Sequence, residues 1–335
     1  MQEKIILVIT DNTREQVNGV VTTFKNIEAL AVLDGYRIVY LDPGQFLHVG
    51  CPGYPEVKLG LPWQIGKKIE AMAPDYIHIA TEGPVGLCAR LYLDKRGYRY
   101  NTSYHTKFPE FLNKLYKIPT NWTYWYVRWF HKHSGRVLTT TPGMVEDLKQ
   151  NGFTDVMPWT RGVNRDNLSA TQPRTANSEP ILLSVGRLSR EKGLDDLVPL
   201  QHEFQIVIVG DGPYRAELER KMPKAKFVGY KSGSELANLY QQADVFVFPS
   251  RTDTFGLVMI ESMSLGTPVA AYPVRGPIDV IEPNVTGVMD QDLRTAVNQA
   301  LLLNRTQVKT AAQSWTWERV WTIFRESLIE KSDTR

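Results

Sequence analysis

The sequence predicts an α/β protein with two doubly wound domains, each built around a mainly parallel sheet. Short β-branched runs alternate with segments whose apolar residues recur at helical spacing. The alternation stops at a polar stretch rich in turn residues, from 161 to 180, and then starts again. In addition, the chain of 335 residues is about twice as long as a typical single domain. Two separate hydrophobic cores are therefore expected.

The first half of the chain alternates strand and helix patterns. Its predicted strands are Ile5–Thr10, Arg37–Leu41, Tyr76–Ala80, Arg99–Ser103 and Val137–Thr141. Thr22–Leu33 and Leu87–Lys95 carry apolar residues at helical spacing, and Pro142 stands where the first turn of a helix would begin. This order predicts a parallel sheet covered by helices on both faces.

The second half repeats the pattern after the polar stretch. Its predicted strands are Ile181–Val185, Gln205–Val209, Lys226–Val228, Val245–Phe248 and Val269–Ala271. We therefore expect a first domain over 1–163, a linker over 164–179 and a second domain over 180–314. The amphipathic tail predicts a helix within 315–332 that packs back on the first domain.

Composition excludes several classes of protein. With 42% hydrophobic and 22% charged residues, the chain has no room for a long disordered tract. A net charge of +3 is too small to indicate a nucleic-acid partner. We find no signal peptide and no run of the ~20 apolar residues that a membrane span needs. The two cysteines, Cys51 and Cys88, form no disulfide framework, which favours a cytoplasmic protein.

Basic residues follow the first strand of the second half. Gly186-Arg187 ends this strand, and Lys192-Gly193 precedes the next helical segment. A Gly turn lets the backbone approach a ligand, and Arg187 with Lys192 could hold the two phosphates of a diphosphate. The alternative is a solvated charged loop. The later Gly210–Pro213 turn is weaker evidence and is better explained as a tight turn into a helix.

The most informative segment runs from Ser250 to Glu261. It predicts a strand end, a turn and a helix start, with Asp253 before the turn and Glu261 in the helix. The backbone amides near the helix start suit a phosphate, and the two acids suit sugar hydroxyls. Alternatively, Asp253 caps the helix and Glu261 is an ordinary surface acid. The residues expected to contact the ligand here are Asp253, Thr254, Phe255, Gly256, Leu257 and Glu261.

Two segments of the first half also stand at expected strand ends. Asn18-Gly19 opens a helix after the first strand, where Gly19 permits close approach of a phosphate or is simply part of a turn. Tyr104, His105 and Lys107 follow the Arg99–Ser103 strand, at the sheet edge where open α/β sheets bind ligands. A single histidine such as His105 has a structural role as readily as a catalytic one.

Together these motifs resemble the retaining glycosyltransferases of family 4, which have the GT-B fold of two Rossmann-like domains. Arg187 and Lys192 look like the family's donor-diphosphate motif. Asp253 to Glu261 matches its E-x7-E motif, with Asp253 in place of the first Glu. The resemblance implies a nucleotide-sugar donor linked to UDP or GDP. It places Asp253 on a hydroxyl of the donor sugar and Glu261 on the ribose of the nucleotide.

Two further segments look most like the branch with sulfoquinovosyl-diacylglycerol synthases and lipid α-mannosyltransferases. They are Thr81–Gly86 and Ser103–Pro109. The resemblance implies a lipid or glycolipid acceptor, and places His105 on a donor-sugar hydroxyl. Acceptor or cleft positions then fall to Asn18, Glu82, Tyr104 and Lys107.

The implied reaction retains the anomeric configuration and uses no metal, cofactor or protein nucleophile. No D-x-D sequence stands at a plausible place for a divalent metal. Two other functions stay open. Sugar-nucleotide 2-epimerases share the two-domain fold, and a non-catalytic sugar-nucleotide-binding subunit could keep the same motifs.

The segment 111–133 mixes large aromatic residues with Lys114, Lys117, Arg128 and Lys132. Aromatic rings settle at the headgroup level of a bilayer, and basic side chains attract anionic lipids. This composition favours peripheral binding to the inner face of a membrane. The alternative is that the rings belong to the core of the first domain and the charges face water.

Overall fold

In the computed structural model the chain forms two compact units, and most of its residues are described. The described residues are 3–16, 18–51, 54–105, 109, 113 and 117–332. The first unit comprises 1–161 and 317–335, and the second comprises 162–316. Each unit contains a six-stranded sheet with only parallel pairs. The predicted α/β class with two doubly wound sheets is confirmed.

The first unit builds its sheet in the order β2-β1-β5-β6-β7-β8. The strands are β1 (Lys4–Ile9), β2 (Tyr36–Leu41), β5 (Tyr76–Ile79), β6 (Asn101–Tyr104), β7 (Val137–Thr139) and β8 (Val156–Pro158). The helices described in this unit are α1 (Gly19–Leu33), α2 (Ile65–Ala71), α3 (Pro84–Arg96), α4 (Thr120–His131), α5 (Pro142–Gln150) and α12 (Trp317–Ser327). Because β1 lies between β2 and β5, the strand order reverses direction at the β1/β5 boundary, which makes this the switch point of the sheet.

A separate hairpin follows β2, and the sequence pattern does not predict it. Strand β3 (Leu47–Cys51) pairs antiparallel with β4 (Tyr54–Leu61). Leu47 is 82% exposed and Leu61 is 56% exposed. Residues 47 to 50 of β3 are all exposed, so this strand lacks the buried apolar alternation by which strands are recognised in a sequence.

Helix boundaries differ slightly from the expected ones because of their caps. Helix α1 begins at Gly19, since the Asn18 side chain accepts hydrogen bonds from the first amides. Helix α3 begins at Pro84, which occupies the first turn where a missing N–H costs nothing. Pro142 likewise begins α5, as predicted.

The C-terminal helix α12 packs in the first unit. Phe324 is fully buried and stacks on Trp159 with ring centroids 4.9 Å apart. The Trp159 indole donates to the Val320 carbonyl at 3.1 Å, and the Trp321 indole donates to Asp34 at 2.7 Å. The first unit thus combines residues from both ends of the chain.

The second unit has the strand order β11-β10-β9-β12-β13-β14. Its strands are β9 (Ile181–Val185), β10 (Gln205–Val209), β11 (Lys226–Phe227), β12 (Val245–Phe248), β13 (Val269–Ala271) and β14 (Gly287–Met289). Its helices are α6 (Arg215–Lys221), α7 (Gly233–Gln242), α8 (Leu257–Ser264), α9 (Pro277–Val280), α10 (Leu293–Ala300) and α11 (Arg305–Ala311). Apolar clusters fill both faces of this sheet. Its switch point lies between β9 and β12.

Candidate functional site

The basic and acidic motifs of the second unit meet at its switch point. Strands β9 and β12 are hydrogen-bonded neighbours, with Leu183 opposite Phe246. The segment that carries Arg187 leaves the carboxyl end of β9, and the segment that carries Asp253 leaves that of β12. Open α/β sheets bind ligands in the crevice at this edge. The two predicted motifs therefore converge where a ligand is expected.

The segment after β9, which carries Arg187, packs closely against Gly210. Gly210 has φ +125°, and a Cβ on it would lie 1.9 Å from the carbonyl oxygen of Gly186. No side chain fits there. The Gly210–Pro213 turn does lead towards α6, as predicted, and it also packs against the segment after β9. Arg187 itself is exposed on this segment.

Lys192 and Asp253 form an ion pair that joins the two segments. The Lys192 ammonium lies 2.8 Å and 3.0 Å from the two carboxylate oxygens of Asp253. Both side chains are partly exposed, at 32% and 26%. The cap residue of α8 is Gly256, and no side chain caps this helix, so the alternative that Asp253 is a helix cap is wrong. A cation suited to phosphate and an acid suited to a hydroxyl stand side by side.

The turn after Asp253 leads into the start of α8. Gly256 occupies the cap position with φ +85° and has no side chain to bind the first amides of the helix. Thr254 and Phe255 are buried, and Phe255 packs edge-on against Trp315 at 5.5 Å. Leu257 is the first residue of α8. The amides at this end carry the positive end of the helix dipole.

Glu261 lies on α8 and is held by a tyrosine of α7. The Tyr240 hydroxyl donates to the Glu261 carboxylate at 2.9 Å. Burial raises the pKa of Glu261 above its usual value, and the hydrogen bond from Tyr240 partly opposes this shift. Glu261 is half-buried, so the alternative of an ordinary surface acid is wrong. Local sequence does not reveal Tyr240, which lies on a separate helix.

In the first unit, His105 follows β6 and is oriented by an arginine that the sequence did not single out. The Arg161 guanidinium donates to His105 Nδ1 at 2.9 Å. Burial and the Arg161 cation hold the pKa of His105 well below its usual value. The imidazole is therefore neutral, and because Nδ1 accepts a hydrogen bond, its proton lies on Nε2.

Arg161 is buried at the end of the first unit. It also donates to the carbonyl oxygens of Trp159 and Thr160, at 2.7 Å and 3.0 Å. Burial lowers the pKa of Arg161 to about 9, so the side chain is still cationic at neutral pH. The sequence signal that could have pointed to Arg161 is its position shortly after β8 and Trp159.

Asn18 and Gly19 stand at the beginning of α1. The side-chain oxygen of Asn18, Oδ1, accepts hydrogen bonds from the backbone amides of Val20 and Val21, both at 3.0 Å. Its side-chain nitrogen, Nδ2, donates to Asn12 Oδ1 at 3.1 Å. The Asn18 side chain is thus engaged in capping, while Gly19 forms the first residue of the helix.

The other residues predicted in the first unit lie around the ends of β5 and β6. The Glu82 carboxylate lies 3.2 Å from His131 Nε2. Tyr104 ends β6 and is buried against the His131 ring, with centroids 6.2 Å apart. Lys107 lies outside the described residues. His131 was not predicted, because it stands within α4 and no local motif marks it.

Asp11 was also not predicted and lies beside Glu82. Its carboxylate accepts hydrogen bonds from the Thr81 hydroxyl and the Val85 amide, both at 2.7 Å. Burial raises the pKa of Asp11, and these hydrogen bonds oppose the shift. Asp11 therefore ties the loop after β1 to the start of α3, at the switch point of the first sheet.

Comparison with known proteins decides the family. The family model described as Glycosyltransferase Family 4 matches residues 28–167, and that described as Glycosyl transferases group 1 matches residues 167–312. A GDP-mannose-dependent alpha-mannosyltransferase of Mycobacterium tuberculosis is 30% identical over 316 residues, which cover 88% of this chain and 81% of the relative. The chain belongs to the family 4 glycosyltransferases.

Two further likenesses agree with this glycosyltransferase family. A sulfoquinovosyl transferase of Arabidopsis thaliana is 31% identical over 260 residues, which cover 71% of this chain and 50% of that protein. The solved sucrose-phosphate synthase of Thermosynechococcus elongatus superposes with a TM-score of 0.77 at 19% identity, covering 96% of this chain and 98% of that one. This last likeness concerns the fold, which is GT-B.

The glycosyltransferase is thus an enzyme that transfers a hexose from a nucleotide sugar. Within its described residues, we find no group of three or more His, Cys, Asp or Glu side chains able to hold a metal ion. Nor is any helix of that part of the chain long and apolar enough to cross a bilayer.

Proposed function

We propose that the protein is a retaining, metal-independent glycosyltransferase. Its donor would be a GDP- or UDP-linked hexose, and its acceptor a lipid or glycolipid hydroxyl at an anionic membrane surface. The observation that carries the donor part is the ion pair of Lys192 with Asp253 at the switch point of the second sheet, with Glu261 on the helix that follows. These side chains offer a cation for the diphosphate and two acids for hydroxyl groups.

In this proposal the diphosphate lies against Arg187, Lys192 and the amides around Gly256. Negative charge on the diphosphate grows as the glycosidic bond breaks, so cations and helix dipoles placed there stabilise the transition state. Lys192 then exchanges part of its contact with Asp253 for a phosphate oxygen. Asp253 turns to a hydroxyl of the sugar.

Glu261 binds the ribose of the nucleotide. Its carboxylate accepts one hydrogen bond from Tyr240 and has further lone pairs for the ribose hydroxyls. An anionic acceptor gives hydrogen bonds about twice as strong as a neutral one. Its raised pKa reflects the water-poor surroundings in which such bonds are most effective.

His105 is proposed to contribute a neutral N–H group that binds the donor sugar. Because Arg161 fixes Nδ1 as an acceptor, His105 Nε2 donates to a donor-sugar hydroxyl and does not abstract a proton. The acceptor hydroxyl attacks the anomeric carbon on the face that the diphosphate leaves. Its proton passes to a phosphate oxygen, and the configuration is retained.

The donor base is tested most directly by thermal shift with GDP, UDP and ADP, followed by their hexose conjugates. A ligand that binds the native state raises its melting temperature. The relative's name makes GDP-mannose the first conjugate to assay. We expect a shift with GDP or UDP, and then release of that diphosphate when a lipid acceptor is added.

The same assay separates the two other functions. A 2-epimerase would convert a UDP-sugar into its epimer without any acceptor. A sugar-nucleotide-binding subunit would show the thermal shift but neither hydrolysis nor transfer. Either result would contradict the proposed transferase.

The membrane part of the proposal rests on α4. Trp122 is 69% exposed and Trp125 is 63% exposed, one turn apart on the same helix. From 117 to 133 the chain carries basic residues and no acid. Exposed rings beside basic side chains fit a bilayer with anionic headgroups.

The rest of the aromatic segment supports the core of the first unit. Val127 and Phe130 are fully buried, and Arg128 donates to the Asn151 carbonyl at 3.2 Å. Lys117 and Lys132 are exposed, whereas Lys114 lies outside the described residues. The lipid surface is thus proposed for Lys117, Trp122, Trp125 and Lys132, not for every ring of the segment.

A further inference from the structure

A chain of hydrogen bonds leads to the Glu82 carboxylate through the interior of the first unit. The Ser134 hydroxyl donates to the Arg136 carbonyl at 2.6 Å, and the Thr102 hydroxyl lies 2.9 Å from Ser134 Oγ. His131 Nδ1 lies 2.7 Å from Thr102 Oγ1, and its Nε2 lies 3.2 Å from Glu82 Oε1.

The directions of these bonds are fixed by counting hydrogens. A carbonyl oxygen can only accept, so the single hydrogen of the Ser134 hydroxyl points to Arg136. Thr102 must then donate its own hydrogen to Ser134. Because Thr102 has no second hydrogen, it accepts from His131, and Nδ1 of His131 carries a proton.

This assignment requires one further proton in the contact between His131 Nε2 and the Glu82 carboxylate. An imidazole protonated only at Nδ1 presents a lone pair at Nε2, and a carboxylate also presents only lone pairs. Two acceptors cannot share a contact of 3.2 Å without a hydrogen. Either His131 is an imidazolium facing a carboxylate, or Glu82 is a neutral acid. The carboxyl side chain is 18% exposed and so partly hydrated, which favours the ionic form.

The pair stands at a ligand-binding position of the fold. Glu82 follows β5 at the switch point of the first sheet, and its carbonyl oxygen accepts from the Tyr126 hydroxyl at 2.8 Å. The preceding Thr81 donates to Asp11. Among the residues that the structure describes, the titratable groups shown to interact electrostatically with the pair are Asp11, His78, His105 and Tyr126.

We propose that His131 and Glu82 form a charged pair that presents the Glu82 carboxylate to a hydroxyl of the acceptor other than the one that reacts. This inference rests on the proposed transferase function. Glu82 orients the acceptor by taking a hydrogen bond from it, and His131 is a positioning residue that keeps Glu82 anionic and fixed. Because the pair already holds its proton, it does not serve as the base, and the acceptor's proton still leaves on the diphosphate.

The charge state is tested without turnover. In ligand-free protein labelled with ¹⁵N-histidine, at neutral pH, the His131 ring is expected to show two protonated nitrogens. The signals are assigned by their loss in His131→Gln. A His131 ring with one protonated nitrogen would overturn the charged pair, whatever the enzyme's activity.

The role in acceptor binding is tested with Glu82→Gln. We expect the acceptor KM to rise about tenfold, because a hydrogen bond to a charged group is lost, and to rise more than the donor KM. Glu318→Gln, an exposed acid on α12, is the matched control and should change neither. An unchanged acceptor KM, or equal losses for donor and acceptor, would overturn the role of Glu82.

Two variants of His131 separate positioning from folding. His131→Gln keeps an N–H group that can reach Glu82, whereas His131→Leu does not. With melting temperatures recorded for both, the acceptor KM should rise more in His131→Leu. Equal acceptor KM values in the two variants would overturn the positioning role. If the parent protein transfers no sugar at all, the proposed function fails, while the ¹⁵N measurement still decides the charge of the pair.

Discussion

Lys192 and Asp253 form an ion pair between two groups that are proposed to bind different parts of the donor, the diphosphate and the sugar. While the carboxylate lies 2.8 Å from the ammonium, it neutralises much of the charge that a diphosphate would meet. In the proposed function, a donor sugar that takes over Asp253 would release Lys192 for the phosphates. Binding of the sugar and binding of the diphosphate would then be coupled through this contact.

Replacing Asp253 by Asn should therefore strengthen the binding of the nucleoside diphosphate and weaken the contact with the donor sugar. We expect the bare nucleoside diphosphate to bind a few-fold more tightly and turnover to fall at least tenfold, because a sugar contact is lost. Calorimetry and initial rates measure the two effects. Asp253→Glu, which restores the longer acid of the family motif, is the control and should keep the pair. Weaker diphosphate binding in Asp253→Asn would contradict this coupling.

Glu261 should show a loss of activity when its charge is removed. In Glu261→Gln the ribose loses an anionic acceptor, so we expect donor KM to rise and kcat to fall, together by at least an order of magnitude. Steady-state kinetics with varied donor measure this. An exposed control on the same unit is Glu235→Gln. Parental kinetics in Glu261→Gln would remove Glu261 from the site.

The same substitution should stabilise the protein at high pH. Because the pKa of Glu261 is raised in the folded state, that state binds more protons than the unfolded state above about pH 4.5. Stability is then lost as pH rises through the folded pKa. Glu261→Gln does not titrate and can still accept from Tyr240. Its melting temperature should match the parent at pH 4 and exceed it at pH 8, and the reverse order would refute the burial argument.

The positions of single residues could be predicted better than their contacts. Lys192, Asp253 and Glu261 were expected near a ligand because each stands in a motif beside a strand end. Tyr240, Arg161 and His131 contact predicted residues from distant elements, and a partner far along the chain leaves no local pattern. Whether Asp253 caps a helix or pairs with a lysine also depends on packing that only the structure contains.

At the scale of elements, buried strands were the easiest to predict. The strands Ile181–Val185, Gln205–Val209, Val245–Phe248 and Val269–Ala271 have the predicted bounds, since β-branched residues fill a sheet covered on both faces. The β3–β4 hairpin was missed because it pairs with neither sheet and exposes Leu47 and Leu61. The elements that can be predicted are those whose residue pattern is set by burial in the core.

Helix α4 carries the prediction on membrane binding. We expect the protein to float with anionic vesicles at low salt and to be released by high salt. Replacing Trp122 and Trp125 by Ser should weaken the binding at least tenfold. Lys117→Gln and Lys132→Gln should each weaken it about fivefold.

The control for this surface lies on the second unit. Leu302 is 85% exposed and Lys309 is also exposed, so Leu302→Ser with Lys309→Gln removes similar chemistry elsewhere. This variant should bind vesicles like the parent. If the parent ignores anionic vesicles at low salt, or if both sets of variants lose binding equally, the surface on α4 is not a lipid-binding site.

At the scale of the whole molecule, the core of the first unit depends on α12. Phe324 is fully buried against Phe24, His78 and Trp159. Phe324→Ala should reduce the free energy of unfolding of this unit by about 3–5 kcal/mol. Every tryptophan except Trp315 belongs to the first unit, so fluorescence in urea reports chiefly on it.

Ligand binding to the second unit serves as a control for the Phe324→Ala substitution. Nucleoside-diphosphate binding is proposed for residues of that unit alone, so its affinity should be unchanged in Phe324→Ala under native conditions. Exposed Leu302→Ala is the control for the loss of an apolar side chain and should leave the urea midpoint within experimental error. A parental midpoint in Phe324→Ala would show that α12 contributes little to the first unit.

Because α12 completes the first unit, the order of synthesis differs from the order of folding. A ribosome releases 1–161 first, then the whole of 162–316, and α12 only afterwards. Domains commonly fold as they emerge, the N-terminal one first. Here the second unit has all of its sequence available earlier, while Trp159 of the nascent first unit still lacks its packing partner Phe324. The half of the chain that is made first is therefore the last to complete its core.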